Sequence, residues 1–202
     1  MRATDDMIRA RGLLVHVPAT TPYPWPWNGE LDPVGTAVLV IGPEHAGPEA
    51  SAAEAEAMSS VVAATRAAGG AMIRVVTAPP RRLPTTSARP AGESLPGADV
   101  VTDAVGLDGF FGSRLESLLR TRRIERLLLV GSGLETAIHS TMRTANDMGF
   151  ECLLVVDACV PHDTELVAPS VSMIEMSGGI FGAVGTSDAV VDALSRTEGR
   201  TA

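Results

Sequence analysis

The chain has 202 residues and a formal net charge of -8; 45% of its residues are hydrophobic and 3% are aromatic. This length predicts one domain with a substantial aliphatic core, and the negative charge argues against a nucleic-acid partner. The sequence contains no run of about 18 apolar residues and no apolar leader, so we expect no membrane partner and a cytoplasmic location. All 16 residues counted as lysine or arginine are arginines.

The first part of the chain, residues 1–33, is rich in proline and aromatic residues, and residues 34–202 are predicted to form a single α/β domain. Because proline disfavours helices and inner strands, we expect residues 1–33 to form an extended arm over the domain. The aromatic residues of this arm are Tyr23, Trp25 and Trp27. They either fix the arm to the surface or to a neighbouring subunit, or they form a wall of the pocket.

Apolar runs of strand length alternate with segments of helical periodicity in the rest of the chain. This alternation predicts an α/β fold with a doubly wound, mostly parallel sheet of about six strands and helices on both faces. The loop from Ala78 to Ala98 is long enough to be either functional or disordered. The predicted strands are Thr36–Ile41, Ala71–Val76, Asp99–Ala104, Leu127–Val130, Cys152–Val156 and Ile180–Val184; the predicted helices begin near Ser51, Ser113, Glu135, Asp163 and Ser187.

A glycine turn from Ser132 to Ala137 joins the buried strand Leu127–Val130 to the next helix. Ligands of open α/β sheets bind where strands end at their carboxyl ends. The sequence therefore predicts the functional site at this turn.

Five stretches carry a resemblance to a known family: PYPWPWNGEL in the arm, TAVLVIG in the first strand, FFGSRLESLLRTRRIERLLLVG, STMRTANDMGFECLLVVDAC and MIEMSGGIFGAV. With these stretches the chain resembles the isochorismatase-like cysteine hydrolase superfamily, and within it the biuret hydrolase branch. The resemblance covers nearly the whole chain except a shortened segment after Val76. It implies a three-layer α/β/α fold of the isochorismatase type.

Enzymes of this superfamily hydrolyse C–N or ether bonds, and the amide hydrolases use an aspartate, a lysine and a cysteine nucleophile. The resemblance places these three at Gly42, near Ala104 and at Ala137, and the chain has no lysine. We therefore expect no amide hydrolysis by the family mechanism. The glutamine of the biuret branch corresponds to Ser177, which predicts a different substrate.

Other polar residues are candidates for the same pocket. Glu44 lies two residues after Gly42, on the same face of an extended chain, and is a candidate surrogate acid or base. The family often has a non-proline cis peptide at the Ser132–Leu134 position, and its persistence would leave N–H donors for an anion or a carbonyl. The predicted pocket is lined by Glu44, His45, Ser132, Gly133, Leu134, Thr136, Ala137 and Ser177.

The remaining chemically active side chains are expected to have structural roles. Glu135 lies near a helix N-terminus, where a carboxylate interacts favourably with the helix dipole, and this interaction is sufficient to explain the residue. His139 lies about 200° around the helix from Ala137, which favours a subunit contact or a surface position. We expect no metal and no cofactor, because His16 and His162 lack metal-ligand spacing, and we expect Cys152 and Cys159 to be small buried residues.

Two functions remain open at this point. The first is a repurposed small-molecule-binding protein, or a non-hydrolytic enzyme of a biosynthetic pathway, that uses the old pocket. The second is a catalytically inactive pseudoenzyme that serves as an oligomer subunit or as the partner of an active relative. In both cases we expect a homo-oligomer, either a dimer or a tetramer. If the protein is a pseudoenzyme, its partner can also be an active paralogue.

Overall fold

A single parallel sheet organises the computed structural model, which describes residues 15–43, 49–78 and 98–198. Its strands lie in the order β3-β2-β1-β4-β5-β6, and every neighbouring pair is parallel. The predicted doubly wound α/β fold is therefore confirmed. The strands are β1 Thr36–Pro43, β2 Ala71–Thr77, β3 Val100–Asp103, β4 Arg126–Ser132, β5 Glu151–Val160 and β6 Ala183–Gly185.

Helices cover both faces of this sheet and give the three-layer arrangement that was predicted. One face packs against α1 (Ala52–Ala67) and α5 (Ser187–Glu198), which contribute Val61 and Val190 to an apolar cluster. The other face packs against the remaining helices through side chains such as Met142. Because both faces are buried, the inner strands are continuous apolar runs. The remaining α-helices are α2 Leu115–Thr121, α3 His139–Asp147 and α4 Val167–Gly179.

Several element boundaries differ from the prediction, and those beside Leu134 and Gly179 have a clear structural cause. The helix predicted from Glu135 begins one residue earlier as a π-helix, Leu134–Ile138, which continues directly into α3. The strand predicted from Ile180 begins only at Ala183, because α4 runs to Gly179 and the N–H of Gly182 donates to the Gly179 carbonyl at 3.0 Å. The helix predicted near Asp163 opens as a short 3-10 helix, Thr164–Leu166, and α4 begins only at Val167, so Pro169 lies in its first turn, where its missing N–H costs no hydrogen bond.

The described part of the arm pairs with the edge of the sheet. Thr21 forms an antiparallel bridge with Val184 of β6, and Val17 forms another with Trp25. Trp25 is fully buried and belongs to the same apolar cluster as α1 and α5. Within the described residues, no helix is long and apolar enough to cross a membrane.

Candidate functional site at the carboxyl edge of the sheet

The carboxyl ends of β1 and β4 lie side by side, because Ile41 pairs with Gly131. This register brings Gly42 beside Ser132: a Cβ atom added to Gly42 would lie 3.3 Å from the Cβ of Ser132. The same added atom would lie 3.6 Å from Nη1 of Arg74. Two predicted site residues therefore meet at this edge, together with an arginine that was not predicted there.

Arg74 belongs to β2 and reaches across to the end of β1. Its Nη1 donates to the Val40 carbonyl at 3.0 Å, and its Nη2 donates to the Pro43 carbonyl at 2.9 Å. A guanidinium group stays protonated at every physiological pH. Arg74 therefore brings a protonated guanidinium group to the carboxyl edge beside Gly42.

Gly133 forms the turn between β4 and the π-helix with a left-handed φ of +83°. Its carbonyl accepts the N–H groups of Thr136 and Ile138 at 3.1 and 3.0 Å. A Cβ atom added to Gly133 would lie 2.8 Å from Thr136 Oγ1, 3.2 Å from His162 Nε2 and 3.5 Å from the Cβ of Ala137. A side chain at this position would therefore fill the space between Thr136 and His162.

The cis peptide considered for this turn is not found. Among the described residues, the cis bonds are Thr21–Pro22 and Trp25–Pro26, both in the arm. The left-handed conformation of Gly133 reverses the chain at this point instead.

Two of the predicted pocket residues lie in the apolar core. Ala137 is 3% exposed, and Leu134 is likewise buried. Both belong to the apolar cluster beneath α3. The methyl group of Ala137 therefore lies in a closed environment at the beginning of the helix.

Glu135 fixes the loop that follows β5. Its carboxylate accepts the backbone N–H of His162 at 2.9 Å and that of Asp163 at 2.9 Å. This contact holds the exposed residue His162 at the turn of Gly133. Favourable placement near a helix N-terminus is therefore only part of the role of Glu135.

Comparison of the sequence with known protein families identifies the family of this chain. The sequence model of the Isochorismatase domain matches residues 39–189. The chain belongs to the isochorismatase family. This assignment confirms the predicted superfamily, whereas the biuret hydrolase branch stays a prediction.

Solved structures of the isochorismatase type share the fold of this chain. A cysteine hydrolase from Pseudomonas syringae has 18% identity and a TM-score of 0.68, covering 83% of this chain and 95% of that chain. An isochorismatase family protein from Burkholderia thailandensis has 21% identity and a TM-score of 0.65, with coverages of 82% and 97%. The nicotinamidase of Staphylococcus aureus has 16% identity and a TM-score of 0.58, with coverages of 76% and 99%. At these identities the likeness establishes the fold alone.

By resemblance, the catalytic lysine of the isochorismatase-type enzymes corresponds to a position near Ala104, just after β3. Ala104 is buried, and its N–H donates to the Val76 carbonyl at 2.8 Å. In the sheet order, β2 separates this position from β1. The preceding residue, Asp103, was not predicted as part of the site, and one of its carboxylate oxygens is buried without a hydrogen-bond partner in the described part of the chain.

Neither cysteine of this isochorismatase-family chain is placed to act as a nucleophile. Cys152 and Cys159 are both buried, as predicted, and Cys159 Sγ lies 3.1 Å from the Val155 carbonyl oxygen. Burial raises the pKa of both thiols far above the usual range. The reactive form of cysteine is the thiolate, so both side chains are inert at physiological pH.

Several of the predicted site residues lie beyond the described structure. Glu44, His45 and most of the loop from Ala78 to Ala98 fall outside the described residues, as does the side chain of Ser177. Within the described ranges, no cluster of three or more histidine, cysteine, aspartate or glutamate side chains forms a metal site.

The expected surface position of His139 is wrong. The side chain is 6% exposed, and its Nδ1 accepts a hydrogen bond from Nε of Arg143 at 3.1 Å. Nε2 must therefore carry the proton of the neutral ring, and it is buried without a partner among the described residues. The prediction failed because the helix is buried on more than one side: Ala137 and Thr141 are buried on one face, and His139 and Met142 on another.

We expect the stability of the protein to fall as the pH drops below about 6.5, the ordinary pKa of histidine. Burial, and then the charge of Arg143, lowers the pKa of His139. The unfolded chain therefore takes up a proton at a pH where the folded chain does not, and acid favours unfolding. Urea unfolding at pH values above and below this point measures the effect.

His139→Leu removes the titrating group and should reduce this acid-induced loss of stability. His162→Gln is the matched control, because His162 is exposed and its replacement should leave the loss in place. An equal acid-induced loss in wild type and in His139→Leu would show that another group is responsible.

Proposed function

We propose that this isochorismatase-family protein binds a small carbonyl compound non-covalently at the carboxyl edge of its sheet and does not hydrolyse it by the family's cysteine mechanism. The resemblance assigns the nucleophile to Ala137, the base to Gly42 and the lysine to the region of Ala104. A methyl group cannot attack a carbonyl carbon, and glycine cannot accept a proton. This replacement supports the absence of a covalent step.

The hydroxyl groups at the edge do not supply a substitute nucleophile. Thr136 Oγ1 donates to the Gly133 carbonyl at 3.4 Å, and no hydrogen bond joins this hydroxyl to the His162 ring in the described structure. A serine or threonine hydroxyl needs an adjacent base to become reactive. The side chains of Ser132 and Thr136 are therefore suited to hydrogen bonding rather than to attack.

The observation that carries the binding proposal is the convergence of Thr136 Oγ1 and His162 Nε2 over Gly133. Ser132 and the guanidinium of Arg74 lie at the adjacent end of β1. The imidazole N–H of His162 can donate to a carbonyl or carboxylate oxygen, and the hydroxyl oxygens of Thr136 and Ser132 can accept from an amide N–H. The ligand class is therefore a small amide or carboxylic acid, bound where α/β sheets take their ligands.

Ligand-observed NMR with nicotinamide and nicotinate as probes tests this proposal. We expect at least one probe to bind, and His162→Gln to weaken its binding by about five-fold, as the loss of one hydrogen bond predicts. Glu165→Gln, an exposed change on the same loop, should leave the affinity unaltered. Binding of neither probe, or identical binding by wild type and His162→Gln, would contradict the proposal.

A second candidate function, a catalytically inactive oligomer subunit, is favoured by one surface. Leu166, Met173, Met176 and Ile180 are 42%, 42%, 52% and 56% exposed. Successive members of this set are seven, three and four residues apart, which places them on one face of α4 and of the residues that flank it. Exposed apolar stripes of this kind mark contact surfaces. Light scattering of the purified chain tests it, and a monomeric mass at high concentration would exclude a homo-oligomer.

A further inference from the structure

A second cleft opens at the amino edge of the sheet, at the opposite end of the strands from Gly133. It lies where β4 and β5 begin and has a volume of about 580 Å³, which is in the range of small-molecule sites. Its walls come from the arm, from β4 and β5, and from segments at the ends of α2, α3 and α4. The lining residues that matter most are Tyr23, Trp27, Arg120, Arg126, Asn146 and Glu151.

The arm forms one wall of this cleft through specific contacts. The backbone N–H of Trp27 donates to the carboxylate of Glu151. The rings of Tyr23 and Trp27 meet edge to face, with centroids 5.2 Å apart. A Cβ atom added to Gly179 would lie 2.7 Å from Cε1 of Tyr23, so the Tyr23 ring lies directly on the end of α4. The aromatic motif of the arm is thus held in place at the cleft.

Two arginines give the cleft positive charge. The guanidinium of Arg120 lies 4.2 Å above the Phe150 ring and donates to the Met148 carbonyl at 2.5 Å. Its side chain is 48% exposed. The Arg126 side chain is 12% exposed and donates to the Asn28 carbonyl at 3.2 Å. In a chain with a net charge of -8, such a pair is a local attraction for anions.

Three acids lie beside the two arginines, so the described lining of the cleft carries no net positive charge. Glu116 lies 3.7 Å from Arg120 and Glu125 lies 3.8 Å from Arg126, but their side chains are 51% and 76% exposed, so solvent screens both pairs. Glu151 is occupied by the arm, and burial raises the pKa of its carboxyl group. The attraction for an anion is therefore local to the half-exposed guanidinium of Arg120, because the acids beside it are exposed to solvent or held by the arm.

Two neutral donors in the cleft have no hydrogen-bond partner in the described structure: the hydroxyl of Tyr23 and the side-chain amide of Asn146. Burial raises the pKa of Tyr23 far above its usual value, so the hydroxyl keeps its proton and can donate it to a ligand. The indole of Trp27 is 55% exposed. It offers a flat apolar surface for a planar ring.

We propose that this cleft binds a small planar carboxylic acid as its anion, with Arg120, Tyr23 and Asn146 facing the carboxylate and Trp27 covering the ring. Arginine is the side chain best suited to this task, because its planar fork matches the two carboxylate oxygens. The site lies at the opposite edge of the sheet from Thr136 and His162 and goes beyond the function proposed for that edge.

Benzoate is the probe for this site, with benzamide as the uncharged analogue and cyclohexanecarboxylate as the non-planar one. We expect benzoate to alter the fluorescence of wild type but not of Trp27→Phe, in which the buried Trp25 is the remaining tryptophan. In a titration followed by this fluorescence change, Arg120→Gln should weaken benzoate binding in the cleft by about ten-fold, as loss of a charge-assisted hydrogen bond predicts. Both analogues should bind more weakly than benzoate.

Two control variants test whether the fluorescence signal of benzoate arises from this cleft. Arg66→Gln removes an arginine of similar exposure, 44%, outside the cleft, and should leave benzoate binding unchanged. In His162→Gln the benzoate-induced change in Trp27 fluorescence should be retained, because this signal reports on the cleft, whereas His162 belongs to the other edge, where small carboxylic acids are proposed to bind separately. Thermal unfolding of each variant establishes that it is folded.

Three results would overturn the proposal. The first is an absence of benzoate binding at millimolar concentration, and the second is equally tight binding by wild type and Arg120→Gln. The third is a gel-filtration result in which Arg120→Gln, at wild-type thermal stability, converts a dimer into a monomer. That outcome would assign the cleft to a contact between subunits.

Discussion

Gly131→Ala is expected to remove about 4 kcal/mol or more of folding free energy, which places it among the most severe single substitutions. A Cβ atom at position 131 would lie 1.9 Å from the carbonyl oxygen of Ile41 and 2.8 Å from its backbone nitrogen. Both atoms belong to β1, so the clash cannot be relieved by a side-chain rotation. Since domains have about 5–15 kcal/mol of stability in total, little native protein should remain.

The control for this prediction is Gly149→Ala. Gly149 also has a positive φ, +84°, but an added Cβ atom there would meet nothing within 4 Å. Only the cost of a left-handed alanine applies, about 1–2 kcal/mol. Denaturant unfolding of the two variants compares these costs. Similar stabilities for both would show that the approach of β1 to β4 is looser than the structure indicates.

Trp25→Ala is expected to destabilise the protein by about 3–5 kcal/mol, the usual cost of deleting a buried aromatic side chain. Trp25 is fully buried and packs in the apolar cluster that joins the arm to the sheet. The substitution should leave a cavity beneath the arm and loosen its pairing with β6. Urea unfolding at neutral pH measures the loss.

Trp27→Ala is the matched control, because Trp27 lies two residues away and is 55% exposed. We expect it to change stability by less than about 1 kcal/mol. Trp25→Phe should cost less than Trp25→Ala, since phenylalanine refills most of the space and removes an indole N–H that is buried without a partner in the described structure. Equal effects at positions 25 and 27 would mean that the arm does not share the core.

The fold was predictable because each buried strand forms a local apolar pattern in the sequence. Strands such as Thr36–Pro43 and Arg126–Ser132 are buried on both faces, so they are uninterrupted apolar runs that stand out in the sequence. The glycine turn after β4 indicated the location of the candidate site in the same way. What the sequence could not supply was the order of the strands.

The unpredicted residues of the site depend on that order. Arg74 lies in the middle of a strand, and its position near Gly42 follows only from the pairing of β2 with β1. The spacing of His162 in the sequence indicated no site, yet it reaches Gly133 because β5 runs to Val160 and Glu135 fixes the loop beyond it. The angle between Ala137 and His139 on the helix did not indicate burial, because the covering of a second helix face depends on tertiary packing and not on the helical period.

The burial of Trp25 has a similar origin. The prolines around it predict an extended arm, but they do not show whether the arm lies on the surface or enters the core. Trp25 is buried because its neighbour Thr21 pairs with β6 at the sheet edge. Such pairing joins segments far apart in the sequence, Thr21 with Val184, and no local pattern records it.

The most direct test of the central claim is a product assay on the purified wild-type chain with nicotinamide, biuret and isochorismate as substrates. Position 137 is alanine, position 42 is glycine, and both thiols are buried. We therefore predict that product forms no faster than in buffer alone. The assay is run at protein concentrations at which nicotinamide or nicotinate binding is observed. Hydrolysis of any of the three above the buffer rate, retained in Cys152→Ala and Cys159→Ala, would show that the protein has another nucleophile and would contradict this account.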